Sequence, residues 1–152
     1  MINDGWQLEP EPNTLHGDDW LVFSLGGSDF ALPRRRVDGD VVAPQPAPLP
    51  GGPGHLRGVA MVFGAAVPVL SLAEWLSSRG QPLQDVAERR LLVFESAGER
   101  FGILVDRIGD VIRSPQLGAA ELDAGAPTAA VEVGERTVHV LNLGALCSVA
   151  PA

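Results

Sequence analysis

No lysine occurs in this chain of 152 residues; all eleven basic residues are arginine, a codon-usage bias that constrains function little. A single cysteine, Cys147, excludes an internal disulfide and has no partner for a zinc set, which fits a reducing compartment. Basic charge is scarce overall, with 19 acidic residues against 11 basic ones and a net charge of −8. Proteins that grip nucleic acid neutralise phosphates, so this balance argues against nucleic acid and against an anionic membrane surface. The N-terminal MINDGWQLEPEPNTLHGDD has no basic region followed by an apolar run, so no export signal is expected and the expected location is cytoplasmic. Long apolar runs are missing too. Gly58 to Ala73 carries no charge, yet Gly58, Gly64 and Pro68 divide it into lengths suited to strands. A spanning helix needs about 20 unbroken apolar residues, so no direct membrane insertion is expected.

Catalytic signatures are equally sparse. There is no GxSxG, GxGxxG or GxxxxGK(S/T), and His16, His55 and His139 lack HxH or HxxxH spacing. Asp106 and Asp110 have no second pair or suitable histidine for acid–base work. Cys147 reads as a small packed residue, His139 as a surface strand histidine, and Arg34–Arg36 as a solvated basic patch. No catalytic residue, metal or cofactor is expected. A small enzyme or ligand-binding barrel would instead need Asp106, Arg107 and His139 gathered in one polar pocket between lobes.

What the chain does have is apolar residues, at 45%, with 18 glycines and 13 prolines, a composition for short strands and turns. Residues 1–19 read as a flexible acidic tail. Period-two alternation begins at Trp20, with Leu21, Phe23 and Leu25 on one face, followed by a Gly-rich turn and FALP. A Pro-rich loop over Val41–Pro53 precedes strands at Val59–Phe63 and Ala66–Leu70, joined at Gly64-Ala65 and expected to be buried on both faces. LAEWL suggests a short helix and Ser77–Arg89 a polar linker. Further strands are LLVFES, RFGILVD, AAVEV and RTVHVLNL, before a closing helix or turn, LGALCSVA.

These two sets are related by one ungapped offset of 71 residues. Aligning Trp20–Leu76 with Leu91–Cys147 gives 14 identities in 57 pairs, including Leu21-Val22-Phe23 on Leu92-Val93-Phe94 and Val69-Leu70 on Val140-Leu141. Chance would match roughly one pair in twelve, so the excess is about threefold. Five short strands per half suffice to close a small barrel. A half of this size buries too little surface alone, so the two should pack together with a groove between them. The expected fold is therefore mainly all-β and two-lobed. One lobe spans about residues 20–76, a linker 77–89, and a second lobe about 90–147, within a domain over 20–149.

LVFSLGGSDFALP, LPGGPGHLRGVAMVFGAAVPVLSL, LLVFESAGERFGILVDRIGDVI and VEVGERTVHVLNLGAL, in that order, resemble the CheW domain of bacterial chemosensory systems. The most specific signals are GVAMVFGAAVPV and GILVDRIGDV. The resemblance implies two five-stranded barrels of the Src-homology-3 type. It also implies a non-catalytic adaptor joining chemoreceptor cytoplasmic tips to the regulatory domain of a CheA-type histidine kinase. By position it nominates Val37, Leu56, Arg57, Gly58, Phe63, Ile108 and Val111 for receptor docking, and Gly102 and Val105 for coupling. The chain departs from the family at Met61-Val62-Phe63-Gly64, where Asn-Leu-Arg-Gly is usual, and at Ser71, where aspartate is usual. Asp40 replaces a common apolar residue, and the loop between Arg113 and Ala130 is short. Phe cannot supply arginine's forked, charged hydrogen bonds. A divergent auxiliary adaptor that binds only one partner, for example in a pilus-linked pathway, is the alternative.

Overall fold

The structure, a computed structural model, describes residues 19–148 except residue 124. The tail expected over residues 1–19 lies outside the described residues apart from Asp19, which opens the first strand. The first half contains β1 (Asp19–Leu25), β2 (Ser28–Pro33), β3 (Val37–Val42), β4 (Leu56–Val62) and β5 (Ala65–Ser71). Helix α1 (Leu72–Ser78) follows. The second half contains β6 (Arg90–Ser96), β7 (Glu99–Val105), β8 (Arg107–Arg113), β9 (Thr128–Val133) and β10 (Arg136–Leu141). Two further short helices are α2 (Pro115–Gly118) and α3 (Leu143–Leu146), and Arg34–Arg36 form a 3-10 turn. The 71-residue offset carries β1 onto β6 and each later strand onto its counterpart, and it carries α1 onto α3.

The strands form two five-stranded SH3-like sheets, but neither sheet belongs to one half of the chain. One runs β8-β1-β2-β10-β9 and the other β3-β6-β7-β5-β4. The contiguous lobes expected from the repeat are corrected here: each half contributes two strands to one barrel and three to the other. Exchange obeys the repeat in register as well as order. Phe23 faces Ile108 across β1 and β8, and Phe94 faces Val37 across β6 and β3. Parallel pairing joins β2 to β10 and β7 to β5, with Ala31 opposite Val140 and Gly102 opposite Val69. The second sheet is drawn closed where the chain beyond β3 meets β4, by two Ala47–Val59 backbone hydrogen bonds of 2.9 Å.

Alternation explains why so many strands are apolar on both faces. On β1, Trp20 and Val22 fill the interior of the first barrel, while Leu21, Phe23 and Leu25 enter a central layer shared by the barrels. On β6 the parity is inverted, as an odd offset requires. Leu91 and Val93 fill the second barrel, and Leu92 and Phe94 join the central layer. Strand β5 follows the expectation for the uncharged run, with Val67 and Val69 inside and Leu70 in the central layer. Strand β4 does not, because it is the outer strand of its sheet and leaves Met61 exposed.

Turn chemistry sets the hairpins. Gly26 and Gly27 both have positive φ, the pattern of a two-residue primed turn that matches strand twist. A Cβ on Gly26 would stand 2.8 Å from the Leu83 side chain and 2.9 Å from the Gln84 carbonyl oxygen, so the linker crosses directly over this turn. The polar linker is therefore anchored. Leu83 packs on the central layer, and Arg89 N–H donates to the Val105 carbonyl at 2.9 Å. The β4–β5 turn is shifted one residue from its expected place. Phe63 and Gly64 occupy it, with Phe63 in the left-handed region at φ 52°. Ser71 and Asn142, repeat partners, each accept a backbone N–H to cap α1 and α3.

Candidate functional site

The resemblance nominates nine positions, which the tertiary structure sorts by exposure. Gly58, nominated for receptor docking, and Gly102 and Val105, nominated for coupling, are buried framework residues. At Gly58 the chain runs at φ 143°, and a Cβ would stand 2.2 Å from the Ala47 carbonyl oxygen. Glycine is required there because the β4 backbone closes against the segment after β3. A Cβ on Gly102 would press on the Leu91 side chain at 2.8 Å, and Val105 is fully buried in the central layer. Val37, Leu56 and Ile108 are half-buried and pack against that same layer. Val37 and Ile108 are repeat partners on β3 and β8, each an outer strand of its sheet.

Arg57, Phe63 and Val111 present more of themselves to solvent. Arg57 pairs with Glu74 at 2.9 Å and Glu88 at 3.1 Å, joining β4 to α1 and the linker. Its hydrogen bond to Glu74 leads the interactions that hold its pKa above the ordinary arginine value. Ser71 completes this group by donating its hydroxyl to Glu88 at 2.9 Å. Glu88 thus brings a carboxylate beside Ser71, the position at which the family usually has aspartate. Asp40, the other departure, is paired with Arg90 of β6 through bonds of 2.9 and 2.6 Å. Val111 is 49% exposed on β8, and Phe63 is 54% exposed.

Phe63 is the unusual member. A bulky residue at positive φ is rare and costs about 1–3 kcal/mol. Its ring lies over Gly39 of β3, where a Cβ would meet the ring at 3.2 Å. Gly39 therefore makes the seat that Phe63 occupies. Val42 of β3 and Met61 of β4 are exposed at 70% and 72%, so strands β3 and β4 and the Phe63 turn together expose three large apolar side chains. Sequence reasoning did not select Val42, Met61 or Gly39. The chain beyond β3 closes on β4 through contacts distant in sequence, and no local period signals that approach.

The groove expected between lobes is filled at its centre by the shared apolar layer. A cleft of ≈ 590 Å³ flanks it where α1 approaches the end of α3, lined in part by His55, Trp75, Arg79 and Ala145. His55 Nε2 lies 3.1 Å from the Leu146 carbonyl, and burial chiefly pulls its pKa below 6.5. Arg79 stacks over the Trp75 ring at 5.0 Å. Asp106 pairs with Arg89 at 3.3 Å, whereas His139 lies against the Phe30 ring at a centroid distance of 5.5 Å. The polar constellation that an enzyme reading required is therefore not assembled from these residues. Among the described residues no group of three or more His, Cys, Asp or Glu is placed to hold a metal. No helix of the described residues is long and apolar enough to cross a membrane.

Paired SH3-like barrels with an apolar exposed face define a β scaffold suited to protein contacts. The chain belongs to the CheW-like domain family, whose profile matches residues 19–150, a family of non-catalytic scaffolds and adaptors. It is 33% identical over 88 residues to protein PilI of Pseudomonas aeruginosa, a match covering 58% of this chain and 48% of PilI. The chain thus spans about half the length of that relative. It is 27% identical over 131 residues to the chemotaxis protein CheW of Klebsiella aerogenes, covering 86% of this chain and 74% of that one. Among solved structures, the scaffolding protein TtCheW of Thermoanaerobacter tengcongensis matches with a TM-score of 0.67 at 18% identity. That match covers 88% of this chain and 99% of TtCheW, and at this identity it speaks for the fold.

Proposed function

We propose that the protein is a non-catalytic cytoplasmic adaptor that couples chemoreceptor tips to the regulatory domain of a CheA-type histidine kinase. The observation that carries this reading is the apolar exposure of Val42, Met61 and Phe63 around the β3–β4 seam of a CheW-like domain. Exposed apolar clusters of this kind mark surfaces that other proteins cover. Backbone strain at Phe63 supports it further, since strained positions cluster where function requires them. A second face would use Val111 together with the half-buried Val37 and Ile108 on the outer strands. Two faces on one rigid body raise the local concentration of kinase near receptor without any chemistry. Each face can be small, near about 1,200 Å² of total buried area, because assembly is collective.

Titration of the full chain with a kinase regulatory domain and, separately, with a receptor hairpin tests the reading; binding to neither ends it. Phe63→Asp should weaken receptor binding at least about tenfold, as expected for truncating an aromatic anchor, and leave kinase binding intact. Unchanged receptor affinity would remove the β3–β4 seam from that interface. The higher identity to PilI, with Phe63 in place of the usual arginine, favours a second reading. In that reading the protein is an auxiliary adaptor of a pilus-linked pathway that keeps one partner. Binding to only one of the two titrants would select it.

A further inference from the structure

Residues 43–50, which follow β3, read APQPAPLP. Every second residue is proline, so each of these eight residues either is a proline or precedes one. Proline fixes its own φ near about −65° and holds the residue before it out of the helical region. The segment is therefore kept extended by its covalent structure, a rod of about 25 Å at about 3.1 Å per residue. We propose that this rod is a docking arm for a partner protein that presents a proline-binding groove lined by tryptophan and tyrosine. The inference goes beyond the adaptor reading and does not rest on it.

The fold presents the rod rather than burying it. Its middle is pinned to β4 by the two Ala47–Val59 backbone bonds of 2.9 Å, and at its start the Ala43 N–H donates to the Arg89 carbonyl at 3.0 Å. Gly58 lets the rod lie close, since a Cβ there would stand 3.1 Å from the Pro48 Cα. Gln45, Ala47, Pro48, Leu49 and Pro50 are nevertheless exposed, Leu49 at 50%. From Val41 to Gly54 no side chain is charged. A segment already stiffened and pinned in this way has little freedom left to lose on binding, so a small contact is enough to hold a partner.

The occupant follows from hydrogen bonding and shape. Proline supplies no N–H. Among the described residues, 44–50 leave six carbonyls but only two N–H groups, those of Gln45 and Leu49, without a backbone partner. An added β-strand needs donors and acceptors in alternation, and this edge is nearly all acceptor. It asks its partner for hydrogen-bond donors together with flat faces for the proline rings. Tryptophan and tyrosine supply both at once, an apolar ring with an N–H or O–H at its rim. The absence of charge along the rod gives ionic side chains nothing to pair with. A second copy of this chain does not fit. The chain has no tyrosine, and among the described residues Trp20 and Trp75 are buried while the exposed Phe63 carries no donor.

Amide spectra of the isotope-labelled full chain test the proposal, with two probes whose grooves are lined by aromatic side chains, a proline-binding SH3 domain and a WW domain, each added to about 1 mM. At least one probe should shift the Gln45, Ala47 and Leu49 signals, and the same probe with its groove tryptophan changed to alanine should not. Pro48→Ala with Pro50→Ala should weaken that binding at least about fivefold, with the circular dichroism of the fold retained because both positions are exposed. No shift from either probe, shifts confined to other strands, or an affinity unmoved by the double proline change would overturn the proposal. Leu49 shifts that grow with the chain's own concentration, in the absence of either probe, would assign the arm to a second copy and overturn it equally.

Discussion

Cutting the chain in the linker, between Ser78 and Leu83, should give two fragments that fold only together. Four of the eight strand pairings run within the halves, as the β1–β2, β4–β5, β6–β7 and β9–β10 hairpins. The other four, β1–β8, β2–β10, β3–β6 and β5–β7, run between them. Separation therefore strips each fragment to two hairpins and splits the central layer, and isolated hairpins are marginal in water. A domain stability of about 8 kcal/mol, and a linker worth about 1 mM of effective concentration, put the fragment dissociation constant near 1 nM. Mixing should restore the β signature in circular dichroism at micromolar concentration, with one-to-one stoichiometry by calorimetry. A dispersed, protected amide spectrum from either fragment alone would refute strand exchange and restore contiguous lobes. So would failure of the pair to assemble at about 10 µM, since a nanomolar complex is saturated there.

Val37→Asp should lower stability by about 2 kcal/mol in urea melts, because it places a carboxylate against the central layer, whereas Val111→Asp at an exposed edge should stay within about 0.5 kcal/mol. Equal effects would mean the exposure difference is not what separates these positions. Burial first, with Arg79 adding to it and the Leu146 carbonyl and Glu74 opposing, leaves His55 with a pKa below 6.5 in the fold. The unfolded chain then binds the proton more readily, so this residue's contribution is complete above 6.5 and is lost as pH falls through the depressed value. Urea midpoints at about pH 5 and about pH 7.5 should differ less for His55→Gln than for the wild type; an unchanged difference would discount the residue. Burial also pushes the Cys147 thiol up to about 12, so its alkylation by iodoacetamide near pH 8 should be about 1,000-fold slower than for an ordinary thiol. Fast labelling of the native protein would contradict that packing.

The fold was largely readable because its signals are local or periodic. Alternation from Trp20, the glycine turns and the 71-residue offset placed eight of the ten strands within a few residues of their observed bounds. The repeat partners β3, Val37–Val42, and β8, Arg107–Arg113, were not separated as elements, since VDGDVV and RIGDVIR mix charge with branched residues and bury no side chain fully. The candidate site was less readable. Position in a family motif could not show that Val105 is in the core while Val111, six residues on, is half-exposed. Nor could it show that Asp40 and Ser71, as departures, are matched by Arg90 and Glu88 from the other half of the repeat and the linker.

By itself the sequence determined that this protein is a doubled set of short, two-faced strands with little chemistry at hand, because periodicity, glycine placement and charge are written residue by residue. Which strand pairs with which was decided only in three dimensions. Hydrogen-bonding edges of the two repeats are nearly equivalent, so the pattern alone permits either contiguous or exchanged barrels. The shared central layer, with Phe23 beside Ile108 and Phe94 beside Val37, is assembled by the exchanged arrangement. The seam that exposes Phe63 over Gly39 follows from that closure, through contacts no local pattern encodes.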